Sequence, residues 1–182
     1  LGVQIDQACE SHLAVVEKRR ALLAFTPQDD AAATDTTSAW LIAAGSVRGP
    51  SHLRNGAPRQ DAFAFANASD AVVACVCDGL GSQGRSHIGA KLAAELVAES
   101  VAAAILAVEA NDLPSDLMAA GEGPLGDAVR GAVSAAAREA EVLMALEPGP
   151  GFAATIVGVV AHPLGGFFFH VGDGVGLAYS TP

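Results

Sequence analysis

Residues 71–84 read AVVACVCDGLGSQG, and the fold turns on how this stretch is read. An apolar, β-branched run ends at Asp78 and glycines follow at once, the pattern of a buried strand that carries a carboxylate to its own C-terminal end. Gly79 lets the backbone come close at that point. Carboxylate and carbonyl oxygens gathered in this way hold hard cations. The loop also satisfies G-x-G-x-x-G through Gly79, Gly81 and Gly84, between a strand and a helix, which is a phosphate-cradling pattern. Three features oppose a nucleotide. Asp78 would repel a pyrophosphate, no second strand ends in an acid about 20 residues later, and the motif does not open a βαβ unit. A purely structural glycine-rich turn is the third reading.

Working outward, residues 39–47, 61–66 and 71–77 have strand patterns, with a Gly- and Pro-rich loop at 46–60. Helices are predicted over 86–109 and 125–146, separated by a loop at 114–124. Strands follow at 153–161, 167–171 and 175–180, with a turn at 162–166. The order β-β-β-α-α-β-β-β groups the helices and joins the strands by short turns, so the fold class is α+β with antiparallel sheets. Upstream, residues 4–25 are predicted helical from the spacing of Ile5, Cys9, His12, Leu13, Val16, Arg20 and Leu23, and Thr26-Pro27 ends the helix. The polar stretch 26–38, TPQDDAAATDTTS, reads as a linker. The chain thus divides into an N-terminal helix and acidic linker, 1–38, and a main domain, 39–182.

Composition narrows the function. The 182 residues carry a net charge of −10 and an isoelectric point of about 4.7, which argues against nucleic acid and anionic membrane as partners. The apolar stretch 88–108 contains Lys91, Glu95 and Glu99, so it reads as a buried helix and not a membrane span. The N-terminus shows no basic region followed by an apolar run, the mark of a signal peptide. The cysteines are Cys9, Cys75 and Cys77. An odd count without framework spacing points to a reducing, cytoplasmic compartment. Cys75 and Cys77 share one face of their strand and read as buried small hydrophobes, with a C-x-C metal site as the alternative.

Further acids border core strands. Asp61 opens the strand in RQDAFAF, and Asp173 lies between glycines in HVGDGVGLAYS. Here the chain resembles the metal-dependent protein serine/threonine phosphatases of the PPM type (type 2C), bacterial branch, in their N-terminal part. The resemblance rests on GPSHLRNGAPRQDAF (49–63), VVACVCDGLGSQGRSHIGAKLAAE (72–95), GFAATIVGVV (151–160) and FFFHVGDGVGLAYS (167–180), in the family's order. It implies a four-layer α-β-β-α sandwich, incomplete at the C-terminus, with two or more Mn²⁺ or Mg²⁺ ions at one edge. It implies that Asp78 bridges two metals, that Gly79 offers its carbonyl, and that Asp61 orients water. Asp173 matches an acid lining an additional metal position, and Thr155 a small polar position nearby. The implied activity is hydrolysis of phosphoserine or phosphothreonine in a phosphorylated protein by metal-activated water.

The match departs from the family at particular residues. Gln60 stands where Glu is common, and Leu80 where a histidine often follows Asp-Gly, which leaves His52 as the substitute acid. Arg54 and Arg59 are the candidate phosphate ligands, neither at the usual offset. Two further metal-binding aspartates are expected from beyond residue 182, so the resemblance implies weak activity for residues 1–182 alone. A catalytically impaired, phosphoprotein-binding pseudophosphatase is the alternative function, and a partner-docking role for the N-terminal helix a third. Oligomeric state is open.

Overall fold

The computed structural model describes residues 2–108 and 121–179, with Leu113, Leu117 and Ala119 between them, and side chains from Ser11 onward except His12. In chain order the elements are α1 (Gly2–Leu23), β1 (Ala31–Thr36), β2 (Leu41–Ser46), α2 (Pro50–Asn55), β3 (Ala62–Ala68), β4 (Ala71–Cys77), α3 (Ser86–Ala107), α4 (Pro124–Leu146), β5 (Ile156–His162) and β6 (Gly165–Val171). The strands form two antiparallel sheets, a β1-β2 hairpin and a four-stranded sheet of order β3-β4-β5-β6. The class is the expected α+β, with helices packed against antiparallel sheets as an α-β-β-α sandwich requires.

Small residues on one face of the larger sheet set how closely the helices approach. The cross-strand pairs Ala62–Cys77, Ala64–Cys75, Ala66–Val73 and Ala68–Ala71 all point to that face. Against them lies α3, whose Ala90, Ala94, Val97, Ala98 and Val101 are all buried. A helix apolar around most of its surface needs burial on several sides, and α4 covers another of them. The buried side chains of α4 (Leu125, Val129, Ala132, Ala136, Leu143) recur at three- and four-residue spacing, one face of a helix. Pro124 starts α4 at a position that lacks a helical hydrogen-bond partner in any case. Burial pushes the thiols of Cys75 and Cys77 up to about 12, so both are neutral, small hydrophobes.

The opposite face carries Phe63, Phe65, Asn67, Val157, Val159 and Phe168. The hairpin is fastened on this side, where Asn67 Nδ2 donates to Asp35 at 2.8 Å. The hairpin tip is pinned to the β3–β4 turn by Trp40 Nε1 donating to the Asp70 carbonyl at 2.9 Å and Ser38 Oγ to the Asp70 carboxylate at 2.9 Å.

Several boundaries differ from the sequence reading. Residues 31–36, read as linker, form β1. Their Ala- and Asp-rich composition has low strand propensity, and pairing with β2 supplies what propensity does not. Residues 50–55, read as loop, form the short α2. Residues 153–155 are not part of β5, and only Ala154 makes a bridge, to Gly79. No strand forms over 175–179, and Ser180 lies outside the described residues. The chain instead runs over the outer face, with glycines at 172, 174 and 176. A Cβ on Gly172 would meet Thr155, one on Gly174 would meet Val157, and one on Gly176 would meet Phe168. Val175, Leu177 and Tyr179 consequently face outward, exposed. The loop predicted at 114–124 lies largely outside the described residues.

The N-terminal helix is docked on the helical layer. Arg19 makes two hydrogen bonds to Glu139, at 2.6 and 2.9 Å. Leu22 is buried with Ile88, Leu92, Leu143 and Phe152, whereas Leu13 is exposed. Ile5, Cys9 and His12 have no described side chains. Among the described residues no helix is long and apolar enough to cross a membrane.

Two glycine substitutions test this packing. A Cβ on Gly89 would lie 1.7 Å from the Phe152 carbonyl oxygen, so Gly89→Ala is expected to cost about 2–3 kcal/mol through overpacking. Gly131, inside α4, has nothing within 4 Å of its ideal Cβ, so Gly131→Ala is expected to stabilise by roughly 0.4–1 kcal/mol. Urea denaturation of both variants checks the pair, and similar values for the two would contradict the α3 packing described.

Candidate metal site

The site forms where the end of β4 meets the start of β3. Gly79 is buried, and a Cβ there would lie 2.6 Å from the Gln60 carbonyl oxygen and 3.0 Å from the Ser86 backbone. Only a glycine allows the chain leaving β4 to pass between the residue before Asp61 and the first turn of α3. The other glycines of the loop also face protein, Gly81 toward the Gln60 side chain and Gly84 toward Pro150. Close packing thus accounts for Gly79, and for Gly84, whose Cβ would come within 3.2 Å of Pro150, without a nucleotide.

Asp78 leaves β4 exposed and is held by its backbone. Thr155 N donates to the Asp78 carbonyl at 2.8 Å, and Asp78 N donates to Thr155 Oγ1 at 3.3 Å. Leu80 N donates to Ala153 at 2.9 Å, so residues 78–80 and 153–155 zip together beyond the end of the regular ladder. Thr155 therefore stands beside Asp78.

Asp61 lies half-buried against Asp78. Its carboxyl is raised above the usual carboxylate range, first by burial, then by a hydrogen bond to Asp78 and that group's negative charge. The Gly79 N–H and the charge of His52, on α2, act in the opposite direction. The Asp61 carbonyl accepts from Ser46 Oγ and from Arg59 Nε, each at 3.2 Å.

The remaining predicted residues separate. Asp173 is exposed and makes no hydrogen bond or ion pair among the described residues, although its neighbour Gly172 sits against Thr155. Arg54 is exposed near the end of α2 without such a partner. Arg59 is buried, at 8% exposure, and two of its guanidinium nitrogens donate to the carbonyls of Asp61 and Asp29. Sequence reasoning missed Arg48, which donates to the carbonyls of Ala57, Gln28 and His52. No spacing rule marks an arginine that binds backbone oxygens brought near only by folding.

The donor chemistry suits a hard divalent cation. Asp61 and Asp78 place two carboxylates side by side and short of positive charge, and an ion such as Mg²⁺ binds through one or two carboxylates while keeping several waters. Among the described residues no group of three or more His, Cys, Asp or Glu side chains gathers as a metal cluster.

A sequence model described as "Protein phosphatase 2C" matches residues 48–181, so the chain belongs to that family of metal-dependent protein phosphatases. Neither the curated proteins nor the solved structures contain a match.

The raised carboxyl of Asp61 has a direct consequence for stability. Its folded-state proton affinity exceeds that of the unfolded chain. Stability is therefore full below the unfolded carboxylate range and falls as pH rises through the folded pKa. At neutral pH the metal-free pair is destabilising. Asp61→Asn is expected to raise the melting temperature of the metal-free protein at pH 7 and to reduce the further rise produced by millimolar Mn²⁺. A lower metal-free melting temperature in the variant would contradict the pairing.

Proposed function

We propose that this chain hydrolyses phosphoserine and phosphothreonine in proteins, using a site centred on Asp61 and Asp78. The observation that carries the reading is the contact between these two carboxyl groups at the mouth of the β3–β4 pair. Asp78 and the Gly79 carbonyl are the principal metal donors of the reading, and Asp173 lines a further position. Bound Mn²⁺ or Mg²⁺ would supply Lewis-acid charge for the phosphoryl oxygens and acidify a water.

The side chains then divide the remaining work. Asp61 would accept a hydrogen bond from the attacking water and so orient it. His52, whose charge reaches Asp61, stands as the acid in place of the histidine that Leu80 replaces. Arg54, exposed and without a partner among the described residues, is the arginine left for the substrate phosphate. Thr155 fixes the backbone of Asp78. The partner of the reading is a phosphorylated protein, and the two buried free thiols support a reducing, cytoplasmic setting.

A second reading, a phosphoprotein-binding member without turnover, draws on specific observations. Gln60 is uncharged, Asp173 stands apart from the pair, and two carboxylates meet where a two-metal site uses more. Phosphate release from a phosphothreonine peptide in Mn²⁺ separates the two. Turnover that falls at least ~100-fold in Asp78→Asn is expected, since even outer-shell changes cost 10–100-fold at metal sites. Saturable peptide binding without phosphate release would put the second reading first.

A further inference from the structure

Arg59 was expected at the substrate phosphate, but its hydrogen bonds all go to main-chain carbonyls. Its backbone N–H donates to the Pro27 carbonyl at 2.9 Å, Nη1 to the Asp29 carbonyl, and Nε to the Asp61 carbonyl at 3.2 Å. Arg48 repeats the arrangement. Its backbone N–H donates to the Asp30 carboxylate at 2.6 Å and Nη1 to the Gln28 carbonyl at 3.1 Å, while Nη2 and Nε reach His52 and Ala57. The two arginines thus fasten residues 27–30 to the loop that presents His52 and Asp61.

This segment is a strap anchored at both ends. On one side Phe25 packs against His87 and under the ammonium of Lys91, and Leu22 is buried in the helical layer. On the other side the chain enters β1. Residues 27–30 lie outside the stretch 48–181 that matches the family. We infer that Arg59 is a positioning residue that fixes Asp61 to the N-terminal strap at residues 27–30, so that cation affinity at Asp61 and Asp78 depends on a segment that precedes the matched stretch 48–181. The inference rests on the metal-site reading of those two aspartates.

The physical basis is the shape of the guanidinium. Its planar fork serves two carbonyls in fixed directions, which a lysine ammonium, a single compact charge, does not reproduce. A carboxylate pair selects a cation only while its oxygens stay in place, and partners outside the first ring of ligands hold them there.

Calorimetric titration of the full 182-residue chain with Mn²⁺, alongside inhibition of Mn²⁺ binding-competent protein by inorganic phosphate, tests this. Arg59→Gln is expected to weaken Mn²⁺ binding about 10–100-fold, with Arg59→Lys in between and phosphate affinity at saturating Mn²⁺ little changed. Wild-type Mn²⁺ affinity with weakened phosphate binding would make Arg59 a phosphate ligand and overturn the inference. Absence of Mn²⁺ binding by the wild-type chain removes the metal-site reading and this inference together. Binding by the wild type and equally by both variants removes the inference alone. Should Arg59→Gln fail to fold, Asp30 carries the test, because it is exposed and accepts the Arg48 N–H. Asp30→Ala is expected to weaken Mn²⁺ binding several-fold, and Asp30→Asn, which keeps the acceptor oxygen, to restore it. Equal weakening in both would indicate lost charge and not lost positioning, and unchanged affinity in both would also overturn the inference.

Discussion

The absence of a side chain at Gly79 is the constraint on which the site depends. The backbone there passes between the Gln60 carbonyl and the first turn of α3, with no space for a Cβ. Three elements are brought to one point: the end of β4, the residues that open β3, and the start of the most buried helix. Antiparallel pairing sets Ala62 opposite Cys77, so the residues just outside that pair, Asp61 and Asp78, emerge together. The contact between the carboxyl groups is thus a consequence of strand register and of one missing methyl group. A one-residue slip would send the alternating alanines of β3 to the wrong face and separate the aspartates.

The site's electrostatics follow from that geometry. Two carboxylates forced together at the edge of a low-dielectric sheet are unfavourable without a cation or a proton, and burial of Asp61 sharpens the conflict. Strain of this kind is held by its surroundings, and here these are backbone hydrogen bonds. Thr155 closes on Asp78 from β5's approach, while Ser46 and Arg59 hold the Asp61 carbonyl. Both aspartates are steered by their main chains, and their carboxyl groups meet each other beside the Gly79 N–H.

The legibility of the chain varied with how local each determinant was. β4 was readable to the residue, because AVVACVC is a continuous β-branched run closed by Asp-Gly. The helices α3 and α4 were readable within two residues from periodicity and from the proline and glycines around them. β1 was hidden, since AAATDT carries no strand signal and becomes a strand only beside β2. The segment 175–179 showed the reverse fault. Val175, Leu177 and Tyr179 alternate with small residues as in a strand, but Gly172, Gly174 and Gly176 serve close approach to Thr155, Val157 and Phe168, with no ladder partner among the described residues. The structure brings Asp61, Asp78 and Thr155 together, whereas Asp173 is exposed without a hydrogen bond or ion pair among the described residues and Arg59 turns inward to main-chain carbonyls.

The sequence by itself determined the α+β class, the family, and which aspartates end core strands. Those properties reside in runs of neighbouring residues, where hydrophobic periodicity and turn chemistry act over a few positions. Only the tertiary structure decided which arginine is free and which is structural, and that residues 27–30 form part of the support of the site. Carbonyl oxygens carry no residue-type signal, and their partners are chosen by which chain segments folding brings together. The division between the two arginines nearest Asp61 is therefore invisible in RNGAPRQD and plain in three dimensions, with Arg54 in solvent and Arg59 bound to the backbone.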